Sequence, residues 1–307
     1  MQYEHVHEKF RHLVTADNQE RIAFLDEPRW LGYGVAKDIM DNLVSLMNKP
    51  KRPRMLNLLI VGDSNNGKTT LIRRFFDLYG QAYIDSDSNA IYPILLAEAP
   101  PSANEKELYI SLLERFYVPY KPTDTIAKLR YQTIHLFREF RVKMLIIDEF
   151  HSLLVGTPRL QRQVMNAIKM LCNELQIPIV GVGTRDAIRV LHTDPQHASR
   201  FDVAELPTWK LDKDFQKLLF QFQGILPLKK CSNLQSPELA TKIHTISGGN
   251  LGNVHRLLTA CAVEAITSGT EQITLDIIEK NSWYNQRRAS EKLSDKIRCY
   301  QNTALLE

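Results

Sequence analysis

Nowhere in the 307-residue chain is there an unbroken apolar run of the roughly eighteen residues that a membrane helix needs, so no membrane partner is expected. Cysteine is scarce. Cys172, Cys231, Cys261 and Cys299 stand apart, with no C-x-x-C pair and no histidine at metal spacing. That pattern excludes a disulfide framework and a zinc site and fits reduced thiols. The opening residues Met1-Gln2-Tyr3-Glu4-His5 lack the basic-then-apolar layout of a secretion signal, and a cytoplasmic protein is expected. An excess of one charge is also missing: 39 Lys and Arg face 35 Asp and Glu, for a net +4. Any binding to nucleic acid must therefore come from a local stripe and not from the overall field. There is no internal repeat and no low-complexity tract. What is present is 44% hydrophobic residues, enough to pack one large or two modest domains.

The chain is organised around Gly62-Asp63-Ser64-Asn65-Asn66-Gly67-Lys68-Thr69-Thr70. Before it, the short apolar run Leu56–Val61 reads as a buried strand. After it, Leu71-Ile72-Arg73-Arg74-Phe75-Phe76 has helical apolar spacing. The stretch thus fits G-x-x-x-x-G-K-[ST] in its strand–loop–helix setting. Gly62 and Gly67 let the backbone curl so that successive N–H groups face a polyphosphate, and the positive end of the following helix reinforces them. Lys68 is placed to reach the β- and γ-phosphates, and Thr69 offers a hydroxyl to Mg²⁺. Average residue usage puts a chance match on the order of 1 in 100 for a chain this long. ATP and Mg²⁺ are the expected cofactors.

Downstream, Ala90–Ala97 reads as a second buried strand, and helices are expected over about 104–116 and 123–140. The run Val142-Lys143-Met144-Leu145-Ile146-Ile147 then ends in Asp148 and Glu149. A carboxylate at the end of a buried strand beside the phosphate loop suits Asp148 to Mg²⁺. Glu149 is placed to deprotonate a water for in-line attack. After a helix over about 159–175, Pro178–Thr184 reads as another buried strand, whose exit residue Thr184 can bond the attacking water. A short helical segment is expected over 194–199. Arg200 follows it, just ahead of a last strand over 203–206. Arg200 serves either as an arginine finger toward a neighbouring subunit's nucleotide or as a surface partner of Asp202.

Strand–helix–strand alternation of this length predicts an α/β fold with a parallel sheet flanked by helices. From Leu211 onward the pattern turns helical, over about 215–222, 237–246, 251–266 and 275–283. The expected division is a helical arm and linker over 1–54, a nucleotide-binding core over 55–208, a helical lid over 209–283 and a tail over 284–307. Trp30 and Tyr33, in the aromatic cluster of the arm, are either core anchors or nucleotide contacts. Asn253 and Arg256 lie on the first turn of the longest lid helix, and Arg256 there can reach back to the nucleotide.

Taken together, these residues resemble an AAA+ ATPase, and more narrowly the TniB/TnsC transposition ATPases of Tn7-like and CRISPR-associated elements. The likeness rests on Pro28-Arg29-Trp30-Leu31-Gly32-Tyr33, Leu145-Ile146-Ile147-Asp148-Glu149-Phe150-His151, Gly181-Val182-Gly183-Thr184 and Ser199-Arg200-Phe201 with Glu205-Leu206-Pro207. It covers about residues 20–270. The resemblance implies Walker A at 62–69, Walker B at 144–149, sensor 1 at Thr184, an arginine finger at Arg200 and sensor 2 at Asn253 or Arg256. It further implies a homo-oligomeric ring or filament on double-stranded DNA that recruits a transposase, with a TniQ-type adaptor choosing the site. ATP hydrolysis then disassembles the filament. Lys106 and the Lys121–Thr123 loop are either DNA contacts or ordinary surface residues. A helicase loader and a nucleotide-switched scaffold with little turnover are the alternative readings.

Overall fold

The structure, a computed structural model, describes residues 3–27, 29–192 and 199–282. It divides into two compact units, Gly32–Pro207 and a second one made of Met1–Leu31 with Thr208–Glu307. No helix among the described residues is long and apolar enough to cross a membrane.

The unit Gly32–Pro207 begins with the helix α2 (Gly34–Met47), which leads to β1 (Asn57–Gly62) and α3 (Lys68–Tyr79). Then come β2 (Tyr83–Ile84), β3 (Ala90–Ile91) and β4 (Ile94–Glu98), followed by α4 (Glu105–Arg115), α5 (Ile126–Glu139) and β5 (Met144–Asp148). The unit closes with α6 (Pro158–Leu175), β6 (Ile179–Gly183), the short α7 (Ile188–Leu191) and β7 (Phe201–Leu206). Five strands form one parallel sheet in the order β4-β5-β6-β1-β7. The three central strands are buried along their whole length, as a sheet covered on both faces requires. Helix starts follow from local chemistry. Asn104, Thr125 and Thr157 each accept an N–H of the first turn of α4, α5 and α6, and Pro158 takes the first helical position.

One expected strand is broken. Ala90–Ala97 divides into β3, which pairs antiparallel with β2, and β4, which joins the main sheet. Pro93 sits at the break. It has no N–H to give to a ladder, while its carbonyl accepts the Lys143 N–H and the Tyr92 N–H goes to Phe140. The expected helix over 194–199 lies largely outside the described residues, and so does the tail.

The other unit contains a 3-10 helix (Glu8–Thr15), α1 (Asn18–Asp26), α8 (Lys213–Ile225), α9 (Pro237–Ser247), α10 (Leu251–Thr267) and α11 (Leu275–Lys280). Its core joins Leu25 of α1 to Phe215, Leu219 and Phe222 of α8, Leu258 and Cys261 of α10 and Ile278 of α11. Residues 1–31 are therefore part of this helical unit, and the contacts do not divide the chain at residue 54. The reason is polar as well as apolar. Arg21, 0% exposed, donates to the Glu271 carboxylate and the Pro227 carbonyl, binding α1 to the loop between α10 and α11. Arg29 meanwhile lies over the Phe24 ring, 3.3 Å from its centroid.

Candidate nucleotide site

In a parallel sheet all C-terminal strand ends emerge at one edge, and here β5, β6 and β1 are adjacent. The 62–70 loop follows β1, Asp148 and Glu149 stand at the end of β5, and Thr184 follows β6. A cleft of about 280 Å³ opens there, lined by Ser64 through Thr70 and by Glu149, His151 and Thr184.

The loop takes its shape from a few positions. A Cβ on Gly62 would lie 2.9 Å from the Leu206 carbonyl oxygen, so only glycine lets the end of β1 pass this close to β7. Gly67, at the N-terminus of α3, has φ of 81°, in the left-handed region. Asn66 is buried, and its side-chain amide donates to the carbonyls of Leu206 and Pro207 at 3.0 and 3.1 Å, which fastens the loop to the end of β7. The Lys68 ammonium folds over the loop and donates to the carbonyls of Gly62 (3.0 Å) and Asp63 (2.7 Å). Burial holds its pKa below the ordinary lysine value, against the opposing pull of the Glu149, Asp148 and Asp63 carboxylates.

Thr69 Oγ1 donates to Asp148 Oδ2 at 3.0 Å, which joins the two halves of the site. A hydroxyl and a carboxylate at the head of a phosphate loop are the hard oxygen donors that Mg²⁺ takes when phosphates complete its shell, so the residues present fit that ion. Asp148 Oδ1 accepts the Glu149 N–H at 2.8 Å. That bond helps hold Glu149 at φ 54°, a left-handed conformation uncommon for a side chain of this size. The Glu149 carboxylate is about half exposed and lies 3.3 Å from His151 Nδ1. The Thr184 N–H donates to the same nitrogen at 3.5 Å.

The structure thus brings Lys68, Thr69, Asp148, Glu149 and Thr184 to one cleft. Arg200 lies elsewhere. Phe201 registers with Asn57 at the start of β1, whereas Leu206 registers with Gly62, so Arg200 stands a strand length from its own chain's loop. Its Nη1 donates to Asn173 at 2.7 Å, and Asn173 takes the place expected of Asp202 as its partner. Lys106 and the 121–123 loop do come together, with Lys106 Nζ donating to the Pro122 carbonyl at 2.6 Å. Lys121 and Thr123 are exposed there. In the helical unit, the Asn253 side chain donates to the Ser247 carbonyl at 3.1 Å within the turn before α10, and Arg256 is exposed on that helix.

Two cleft-side residues escaped the sequence reading of roles. His151 was legible only as the last residue of the Asp-Glu-Phe-His run. Arg185, next to Thr184, places Nε 2.8 Å from Glu205 Oε1 and 3.6 Å from Asp63 Oδ1, so it spans loop and β7. Its signal was its position directly after a strand-end threonine.

The family described as bacterial TniB protein has a model that matches residues 21–211. Comparison with curated proteins gives no match. Among solved structures, the chain is similar to Cdc6p from Pyrobaculum aerophilum, with 16% identity, 86% of this chain and 70% of that one covered, and a TM-score of 0.62. It is similar to the Aeropyrum pernix ORC2 protein in ADPNP–ADP complexes, with 15% identity, 85% and 71% covered, and a TM-score of 0.54. It is similar also to Drosophila ORC bound to DNA, with 12% identity, 87% and 66% covered, and a TM-score of 0.55. At such identities the likeness is one of fold, and the fold is that of the AAA+ P-loop ATPases.

Proposed function

We infer that this chain, which belongs to the TniB family, is an ATPase that regulates DNA transposition by assembling on duplex target DNA. The observation that carries the ATPase half is the Thr69–Asp148 hydrogen bond inside a cleft shared with Lys68 and Glu149. Loop amides from Gly62 to Thr70, at the N-terminus of α3, hold the triphosphate. Lys68 exchanges the carbonyls of Gly62 and Asp63 for β- and γ-phosphate oxygens. Thr69 and Asp148 would hold Mg²⁺, which would supply charge neutralisation for the phosphates. Glu149 takes the proton of the attacking water, and Thr184 orients that water.

Arg200 is too far along the sheet to serve its own chain's loop, and this supports its assignment to the nucleotide of a neighbouring copy. ATP between copies then couples nucleotide state to assembly. The assembly in turn adds weak phosphate contacts per subunit, from Lys106, Lys121 and Thr123, into stable binding. Asn253 or Arg256 takes the sensor-2 role that the family resemblance implies. Family membership supports the remaining steps: recruitment of a transposase, site choice by a TniQ-type adaptor, and disassembly on hydrolysis. The likeness of fold to the DNA-bound Drosophila complex is in keeping with this reading.

Phosphate release and DNA residence test it together. Glu149→Gln is expected to lower turnover by about 10²–10⁴-fold and to leave ATP-bound oligomers trapped on duplex DNA. Equal DNA residence of variant and wild type would refute release driven by hydrolysis.

A further inference from the structure

The sheet edge opposite the nucleotide cleft gathers cations from two separate stretches of the chain. Leading into β1, the segment Lys49-Pro50-Lys51-Arg52-Pro53-Arg54 alternates basic residues with prolines. Lys143 stands directly before β5, one strand removed from β1. We propose that Lys49, Lys51, Arg52, Arg54 and Lys143 form a surface for the phosphate backbone of duplex DNA. The proposal rests on the reading of duplex DNA as a partner and adds a second contact surface to it.

The fold brings these groups to one place. Lys49, Lys51 and Lys143 line a cleft of about 330 Å³ together with Met47, Met55, Ile177 and Pro178, and none of its described lining residues is an acid. Lys51, Arg52, Arg54 and Lys143 are exposed, and Lys49 is half-buried. Among the described residues, none of the five side chains has an ion pair or a hydrogen bond. The flanking acids are engaged elsewhere: Glu174 holds Arg138 at 2.6 Å, and Asp85 holds Arg141 at 2.8 Å. Glu139, exposed at the end of α5, is left to oppose the cluster. Like charges crowded on one face repel one another, so this face gains from an anion that spans it.

The cleft itself is not where a phosphate would sit. Buried Met55 and Ile177 floor it, and the carbonyl ends of α2 and α6 border it, which draws the ammonium groups to the rim. A phosphate backbone offers anions at regular intervals and makes no demand for an apolar pocket, which suits a row of solvated cations. Pro50 and Pro53 fix φ on either side of Lys51 and Arg52, so the segment loses little freedom on meeting a ligand. Lys106 and Lys121 are placed differently. Lys106 lies between Glu105 and Glu107, with its ammonium on the Pro122 carbonyl, while Asp124 accepts the Lys121 N–H and pairs with Lys128. Acids offset charge there and do not at the linker, which is the local stripe that a nearly balanced chain needs. The six residues of β1 separate the linker from the phosphate loop by roughly 20 Å, so substitutions in it should leave ATP binding intact.

The test is equilibrium binding of the full chain, loaded with a slowly hydrolysed ATP analogue, to a fluorescein-labelled duplex over a salt series. Wild type is compared with Lys51→Gln/Arg52→Gln/Arg54→Gln, with Lys143→Gln, and with the charge-matched control Lys210→Gln/Lys213→Gln/Lys280→Gln in the helical unit. Each phosphate contact adds about 0.9 to the slope of log K against log salt, so the triple linker variant should be shallower than wild type by about 2.7 and Lys143→Gln by about 0.9. Between about 50 and 200 mM salt, wild type should then lose about 40-fold more affinity than the triple variant. The control should keep the wild-type slope, and analogue binding and the thermal midpoint should not change in the linker variants. A linker variant with the wild-type slope, or a control that loses as much, overturns the proposal while leaving the duplex reading in place. Linker-dependent binding of poly-glutamate with an unchanged duplex slope also overturns it and assigns the face to an acidic protein. A wild type that does not bind duplex overturns the duplex reading and the proposal together.

Discussion

The ion pair between Arg21 and Glu271 provides a quantitative test of how residues near the start of the chain become part of the helical unit. Arg21 is fully buried. Its guanidinium donates to Glu271, to the Pro227 carbonyl at 2.6 and 3.0 Å, and to Asn18 at 3.3 Å. Breaking a buried pair by removing one partner costs about 3–5 kcal/mol, because the charge left behind is uncompensated. The two removals are unequal here. In Arg21→Met, Glu271 keeps the Lys229 N–H and the Lys229 ammonium, each at 3.3 Å, so the cost falls near 3 kcal/mol, the lower end of that range. In Glu271→Ala, the guanidinium keeps only neutral acceptors and no route to water, so the cost approaches the upper end, about 5 kcal/mol. Urea unfolding followed by tryptophan fluorescence suits the measurement, since Trp30 and Trp209 both belong to this unit. With a slope of about 2 kcal/mol per molar urea, the midpoints should fall by about 1.5 M and 2.5 M. The pair should also show in acid. Burial raises the Glu271 carboxyl, but the bonds from Arg21 and Lys229 outweigh it and hold the pKa below 4.5. A depressed carboxyl contributes stability above its unfolded value, and that contribution is lost as pH falls through the folded one. Wild type should lose more stability than Glu271→Ala on descending below about pH 4.5. Arg21→Met proving more damaging than Glu271→Ala, or neither moving the midpoint, would refute the reasoning.

Two further outcomes concern the cleft. Thr69→Ala removes one of two oxygen donors to the cation, so ATP affinity measured by titration should fall about tenfold or more in Mg²⁺ and change little in EDTA. Gly62→Ala drives a Cβ to 2.9 Å from the Leu206 carbonyl, against backbone that cannot swing aside. It should cost about 1–3 kcal/mol of stability by thermal unfolding and weaken nucleotide binding.

The parts of the fold that follow from local pattern were legible in the sequence. β1 falls within one residue of expectation, and α3 contains the expected helical run 71–76 and extends it by three residues at each end, because motif, apolar run and helical spacing agree over one short stretch. The same holds for the ends of β5 and β6, where apolar runs stop at polar residues. The split at Pro93 was less legible, since the apolar run continues across it and only the missing N–H decides which carbonyl pairs where. Membership of residues 1–31 in the helical unit depends on Arg21 meeting a glutamate 250 positions away, which no local pattern reports. The task of Gly183 was hidden for a similar reason. Its meaning lies in the His151 ring across the strand end, 32 positions earlier in the chain.

The central claim is that one copy's cleft is completed by Arg200 of the next. Mixing two variants, each inactive alone, tests it most directly. Glu149→Gln retains the arginine and Arg200→Ala retains the cleft, so an assembly containing both forms some interfaces with every group intact. With equal amounts and random order, such interfaces are about a quarter of the total, and phosphate release on duplex DNA should recover to about a quarter of the wild-type rate. A mixture as inactive as its components, at concentrations where both assemble, would contradict the account.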